Sequence, residues 1–136
     1  MSLVLDSSIT LAWIFAEETT HAVIEVFELL RQQAAWVPGL WRLEVANALQ
    51  MGVRRGRIDT AFRDGSLADL TRLPIQVDGE TDLQAWGSTL ELAERHRLTL
   101  YDAAYLELAL RRSLPLASLD QELRRAAAAA KVKLLG

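Results

Sequence analysis

Asp6, Glu44, Asp102 and Asp120 are the residues of this chain whose types and settings could do chemistry. Each stands at the edge of an expected secondary element. Asp6 ends the apolar strand Ser2-Leu3-Val4-Leu5, and Glu44 lies near the start of a helix. Asp102 opens another helix, and Asp120 follows the short strand Leu116-Ala117-Ser118-Leu119. If those strands are parallel neighbours, the four carboxylates meet on one edge of a sheet. Carboxylates with no histidine or cysteine among them suit hard divalent cations such as Mg2+ or Mn2+. The reaction such a site most often serves is metal-assisted attack on a phosphodiester. Like charges about 4 Å apart repel by roughly 4 kcal/mol at an effective dielectric near 20, so clustered acids should take up protons or cations.

The elements that must position these acids follow from hydrophobic spacing. Leu3-Val4-Leu5 is a continuous apolar run, as expected for a strand buried on both faces. After Asp6, Ser7 or Ser8 is expected to cap a short helix carrying Ile9, Leu11, Ala12, Trp13 and Phe15. A second helix over 19–33 places Val23, Val26, Phe27 and Leu30 at helical spacing. Trp36-Val37 reads as a brief strand stopped by Pro38-Gly39, and a helix over 40–55 follows. A helix over 59–72 leads to a third strand, Pro74-Ile75-Gln76-Val77. Helices over 80–96 and 102–112 come next, then a fourth strand over 115–119. An alanine-rich helix over 120–130 and a fifth strand within 131–135 complete the chain. Strands separated by helices predict an α/β fold with a mainly parallel sheet of about five strands. Each crossover seen this way holds two helices. One of each pair must lie across the sheet end or project from it if Glu44 and Asp102 are to start helices at the carboxyl edge, where such sheets place ligands.

Composition bounds the rest. The chain has 136 residues and is 51% hydrophobic, which suits one domain over 1–136 with a substantial core. No Pro/Gly/Ser-rich linker or internal repeat suggests a second. Cysteine is absent, excluding disulfides and thiolate metal sites and fitting a reducing cytoplasm. No apolar run approaches the length of a membrane span and no basic leader precedes the first strand, so a cytoplasmic location without membrane contact is expected. The net charge of −3 gives no global basic field for nucleic acid, although local arginines and bound cations can supply one. Lysine occurs only at Lys131 and Lys133, a bias toward arginine read as genome composition.

Taken one at a time, the acids have ordinary explanations. Asp102 and Asp120 read equally well as helix N-caps, and Asp6 as a turn residue at a strand end. Their settings in combination carry more. The segments Val4-Leu5-Asp6-Ser7-Ser8, Leu43-Glu44-Val45-Ala46-Asn47-Ala48-Leu49, Tyr101-Asp102-Ala103-Ala104-Tyr105-Leu106 and Ser118-Leu119-Asp120 closely resemble the PIN-domain ribonucleases in order and separation. From Asp6 through the final strand, the chain looks like the VapC-type toxins of bacterial and archaeal toxin–antitoxin pairs. That resemblance implies a three-layer α/β/α fold, metal-dependent cleavage of RNA, a cognate antitoxin and a homodimer. It makes Asp6, Glu44, Asp102 and Asp120 the acidic quartet that holds Mg2+ or Mn2+. Ser118 stands where many relatives have threonine and keeps the hydroxyl.

Other residues join the candidate site with bland alternatives beside them. Ser7 and Ser118 can orient a carboxylate through their hydroxyls, or simply cap. Asn47 lies one turn beyond Glu44 on the same helical side, where it can orient Glu44, touch substrate or face solvent. Arg54, Arg55 and Arg57 are candidate RNA phosphate contacts, although a solvated helix end favoured by the dipole is the simpler account. Tyr101 and Tyr105 are read as core residues ahead of base-stacking ones, and His21 and His96 as structural or surface residues. Of the large aromatics Trp13, Phe15, Trp36, Trp41 and Trp86, most belong in the core. Trp13 and Phe15 on one short helix could leave apolar surface near residues 11–30 for an antitoxin segment.

Two other classes compete. A phosphoacceptor receiver domain has a similar length and an acidic pocket above a parallel sheet, but needs adjacent acids after its first strand; here Ser7 and Ser8 follow Asp6. A haloacid-dehalogenase-like phosphatase wants an aspartate where Ser8 stands. No Walker loop, dinucleotide glycine fingerprint, nucleophile elbow or zinc motif is present. A PIN-like binding module without catalysis is the remaining alternative, and retention of all four acids argues against it.

Overall fold

The three side chains of β1 (Leu3–Leu5) are wholly buried, as a strand at the centre of a two-sided sheet requires. The computed structural model describes residues 2–136. On one side β1 pairs in parallel with β2 (Ala35–Val37), Leu3 facing Ala35; on the other it pairs with β4 (Leu116–Ala117), Val4 facing Leu116. Beyond β2 lies β3 (Ile75–Val77), and beyond β4 lies β5 (Leu134–Leu135), giving the order β3-β2-β1-β4-β5 with every pairing parallel. Truncating a buried strand residue such as Leu5 to alanine would cost about 2–5 kcal/mol and loosen the backbone that carries Asp6.

The chain steps outward from β1 to β2 to β3, then returns to β4 and continues the opposite way to β5. Right-handed crossovers therefore place the helices on two faces. The first group is α1 (Ser7–Ile14), α2 (His21–Leu29), α3 (Trp41–Arg54) and α4 (Thr60–Thr71), with a 3₁₀ turn over Ala16–Glu18. Here α1 packs on α2 and α3, and α3 on α4. The second group is α5 (Thr81–Gln84), α6 (Ser88–His96), α7 (Leu100–Arg112) and α8 (Gln121–Ala129). There α7 packs on α6, α8, β1 and β4. The result is the expected α/β/α sandwich. Its path reverses between β1 and β4, and such a switch point opens a crevice at the carboxyl ends of the strands.

Several local expectations change. Neither Ser7 nor Ser8 caps α1: Asp6 occupies the cap position, and its carboxylate makes no capping bond. The helix expected over 80–96 is two, interrupted before Gly87, whose backbone (φ −117°, ψ −106°) is not helical. Hydrophobic spacing runs on through this stretch, so periodicity alone cannot show the break. Helix α7 begins at Leu100 rather than 102, because the Thr99 hydroxyl accepts from the Asp102 N–H and caps it. Trp41 is buried, its indole N–H donating to Thr10 Oγ1 at 3.1 Å, and Trp13 stacks on Phe27 with centroids 4.4 Å apart. Trp86, by contrast, is 93% exposed, and Tyr101 is exposed as well. Among the described residues no helix is long and apolar enough to cross a membrane.

Candidate active site

Four elements deliver the acids to the crevice. Asp6 ends β1, and its N–H donates to Ala117 O across the β1/β4 seam at 3.0 Å. Asp120 lies just past β4 and caps α8, its Oδ1 accepting from the Leu123 N–H at 2.9 Å. Glu44 sits in the first turn of α3 on one face of the sheet, and Asp102 in the first turn of α7 on the other. For Asp120 the capping and clustering accounts both hold. For Asp102 the capping account does not, since Thr99 is the cap.

Two serines tie this edge together. Ser8 donates to Asp6 Oδ2 at 2.6 Å and accepts from the Leu119 N–H at 2.9 Å. Ser118 donates to the same Asp6 oxygen at 2.7 Å and accepts from the Asp120 N–H at 3.1 Å. Asp6 is thus fixed from α1 on one side and from the end of β4 on the other. Ser7 lies farther away, 3.5 Å from Asp6 Oδ1, and is also near enough to Glu44 to favour its charged form. Tyr105, one turn after Asp102 on α7 and fully buried, donates its phenol O–H to Glu44 Oε1.

The charges of these acids act on one another. Burial pushes the Asp102 carboxyl up to about 6, and the negative charges of Asp120, Asp6 and Glu44 push in the same direction. Asp6 is raised by burial, with Asp120 adding to it and the serine hydrogen bonds opposing. Glu44 is raised by burial and by Asp6, against its bond from Tyr105. Burial, then Asp6 and Glu44, raise the Tyr105 phenol, so it remains a donor. Among the described residues none of the four acids forms an ion pair with arginine, lysine or histidine. Among the described residues their mutual repulsion has no cationic partner.

An all-oxygen, uncompensated donor set fits a hard divalent cation. Among the described residues, no three His, Cys, Asp or Glu side chains are already drawn into a metal-binding group. The acids are near enough for their charges to act on one another, yet they form no preformed cage among the described residues. Mg2+ tolerates this, because it commonly keeps several waters and uses one or two carboxylates.

The remaining candidates are less tightly associated. Asn47 is exposed, one turn beyond Glu44. Arg54 ends α3, roughly 15 Å along the helix from Glu44, and Arg55 and Arg57 follow it. Arg57 is held by Glu17 and Glu18 and stacks over Phe15 at 3.8 Å, Arg54 touches Met51 Sδ, and Arg55 is exposed.

The PIN domain profile matches residues 3–129. The chain belongs to the PIN-domain family. Ribonuclease VapC3 of Mycobacterium tuberculosis is 33% identical over 99 residues, covering 71% of this chain and 68% of that protein. Among solved structures, PAE2754 from Pyrobaculum aerophilum superimposes with a TM-score of 0.71 at 24% identity, over 98% of this chain and 83% of that one. VapBC2 from Rickettsia felis, bound to a DNA fragment from its promoter, gives 0.67 at 16% identity over 98% and 97% of the two chains. These two likenesses concern the fold.

In this PIN domain two contributors to the acidic edge escape a reading of the sequence. Ser8 reads only as a helix cap, yet it bridges Asp6 to a backbone N–H 111 residues away. Tyr105 reads as core, and its burial is as expected; its partner Glu44 is 61 residues distant. The spacing of Tyr105 one turn after Asp102 is the only available signal. Membership in the family leaves the receiver-domain alternative without support.

Proposed function

We propose that this protein is a metal-dependent endoribonuclease that hydrolyses RNA phosphodiester bonds as the toxin of a VapBC-type toxin–antitoxin pair. The observation that carries this reading is the uncompensated acidic edge at the β1/β4 switch point of a PIN fold. Kinship with Ribonuclease VapC3 supports the choice of RNA. Asp6, Glu44, Asp102 and Asp120 would hold Mg2+ or Mn2+. When bound, such an ion supplies Lewis-acid polarisation of the phosphodiester and lowers the pKa of water. The chain's own residues prepare the site: Ser8 and Ser118 lock the Asp6 carboxylate, and the α3 and α7 starts bring Glu44 and Asp102 from opposite faces.

The test is cleavage of a labelled single-stranded RNA pool with Mg2+ or Mn2+, with and without chelator. Wild type should cut only with metal, and Asp6→Asn should lose on the order of 10²–10³-fold in rate, the scale of several kcal/mol of charge stabilisation. Cleavage indifferent to chelator and substitution would remove the mechanism. No cleavage of RNA under any condition, with metal bound, would favour a noncatalytic binding module.

The proposal includes a cytoplasmic setting, a homodimer and a cognate antitoxin. Leu43, Leu83, Trp86 and Tyr101 are all strongly exposed; Leu43 and Tyr101 line one apolar cleft of about 320 Å³ with Leu40 and Ala85. We assign that face to a second copy of the chain. Sedimentation should show a dimer that Trp86→Ser weakens; a monomer at all concentrations would refute it. Near residues 11–30 only Ile24 and Leu29 are exposed large apolar residues, since Trp13 and Phe15 pack inward. The α2 surface is therefore a smaller candidate for the antitoxin than expected. Co-purification of the neighbouring gene product, weakened by Ile24→Asp, would support it, and an unaffected complex would exclude that surface.

A further inference from the structure

The buried Tyr105 phenol is satisfied by a carboxylate of the acidic edge, not by backbone, as a purely packing tyrosine often would be. The geometry points to Tyr105 as a positioning residue: its O–H holds Glu44 Oε1 and so leaves the other Glu44 oxygen free to face a divalent cation. Three observations carry this. Tyr105 is fully buried among α7, β1 and the core, so the ring cannot swing away from Glu44. It is one helical turn from Asp102, so one rigid helix sets the place of one acid directly and of another through its hydroxyl. Besides Tyr105, Glu44 has only the nearby Ser7 hydroxyl and, among the described residues, no ion pair, so without the phenol its side chain would sample several rotamers. Glutamate has three rotatable bonds and loses appreciable entropy when a ligand orders it; a prior hydrogen bond removes part of that cost.

This inference rests on the metal-site reading above, and the experiment separates the two. Mn2+ binding is measured by calorimetry on the full-length protein at pH 7.5, with no RNA present. Wild type should bind. Tyr105→Phe keeps the ring and removes only the O–H, and its Mn2+ affinity should fall about tenfold or more, as expected for loss of a group that orients a ligand. In a Glu44→Gln background, Tyr105→Phe should produce little additional loss, because the two residues act through one contact. A purely structural role predicts a different pattern: lower thermal stability with unchanged Mn2+ affinity. That result overturns the assignment and leaves the metal site standing. Additive losses in the double variant overturn it too. Failure of wild type to bind Mn2+ sinks both. If Tyr105→Phe does not fold, Mg2+ titration of wild type followed by the Tyr105 ring resonances decides. They should shift in step with binding, and resonances that stay fixed while metal binds would refute the role.

Discussion

Asp6 and Asp78 occupy matching places and meet opposite fates. Each follows a parallel strand, β1 for Asp6 and β3 for Asp78. The backbone N–H of each donates to a neighbouring strand, Asp6 to Ala117 O at 3.0 Å and Asp78 to Val37 O at 2.8 Å. Both residues are 3% exposed. Around Asp78, Arg111 contacts both carboxylate oxygens at 3.1 and 2.7 Å, Arg112 adds a contact at 3.3 Å, and Thr81 donates at 3.0 Å. Burial opposes the charge of Asp78, but the Arg111 and Thr81 hydrogen bonds outweigh it and hold the carboxyl below its ordinary value. Around Asp6 there are only serine hydroxyls and other acids, and its carboxyl is raised. Arg111 also grips Glu107 and Glu80, so every acid of that cluster has a guanidinium partner. Two buried acids of equal exposure thus separate into a structural joint held by guanidinium groups and an edge whose acids have no ion pair among the described residues.

The comparison can be broken first through stability. Asp78→Ala should destabilise the fold by about 3 kcal/mol in urea melts, because it strands the partly buried Arg112 and takes from Arg111 its buried partner. A change below the error of the melt would mean that the joint contributes nothing. The second effect is on metal binding. Ser118→Ala should weaken Mn2+ binding roughly tenfold by calorimetry, since it removes a bond that orients Asp6. Asp78→Asn, if folded, should leave that affinity unchanged.

The third effect runs against usual intuition and carries a pH signature. Asp102 has its carboxyl raised from 3.8 to about 6 in the fold, so the fold disfavours its ionised form. The stability contributed by protonation is fully present below 3.8 and is lost as pH rises through about 6. In metal-free protein, Asp102→Asn should therefore stabilise at pH 7.5 by about 1–2 kcal/mol after discounting for a half-exposed group, and hardly at all at pH 4. Thermal melts at the two pH values check this. Mn2+ should stabilise wild type more at pH 7.5 than at pH 5, because protons and metal compete for the same oxygens.

How much of this was readable in advance follows from the range of the interactions. Leu3-Val4-Leu5 could only be a buried strand, and the alternation of apolar runs with helical spacing was enough for a parallel α/β sandwich. The break before Gly87 was not legible, since residues on both sides keep helical spacing. Nor could local sequence tell Asp6 from Asp78. Both follow short strands, and what sets their charge apart is Arg111 and Arg112, more than thirty positions beyond Asp78. The four acids were singled out by their settings and by family resemblance. Their mutual influence, the serine bridge and the Tyr105 bond arise only when β1, β4, α3 and α7 meet. Arg57 illustrates the converse: a cation at a helix end, free to bind phosphate as far as the sequence goes, is already engaged by Glu17 and Glu18.

The most direct test of the uncompensated edge is anomalous diffraction from crystals of wild-type protein soaked in Mn2+ near pH 7.5. The account predicts an anomalous peak among Asp6, Glu44, Asp102 and Asp120, with none beside Asp78 and Glu107. Crystals that show no peak at the β1/β4 edge, while Mn2+ orders elsewhere on the protein, would contradict it.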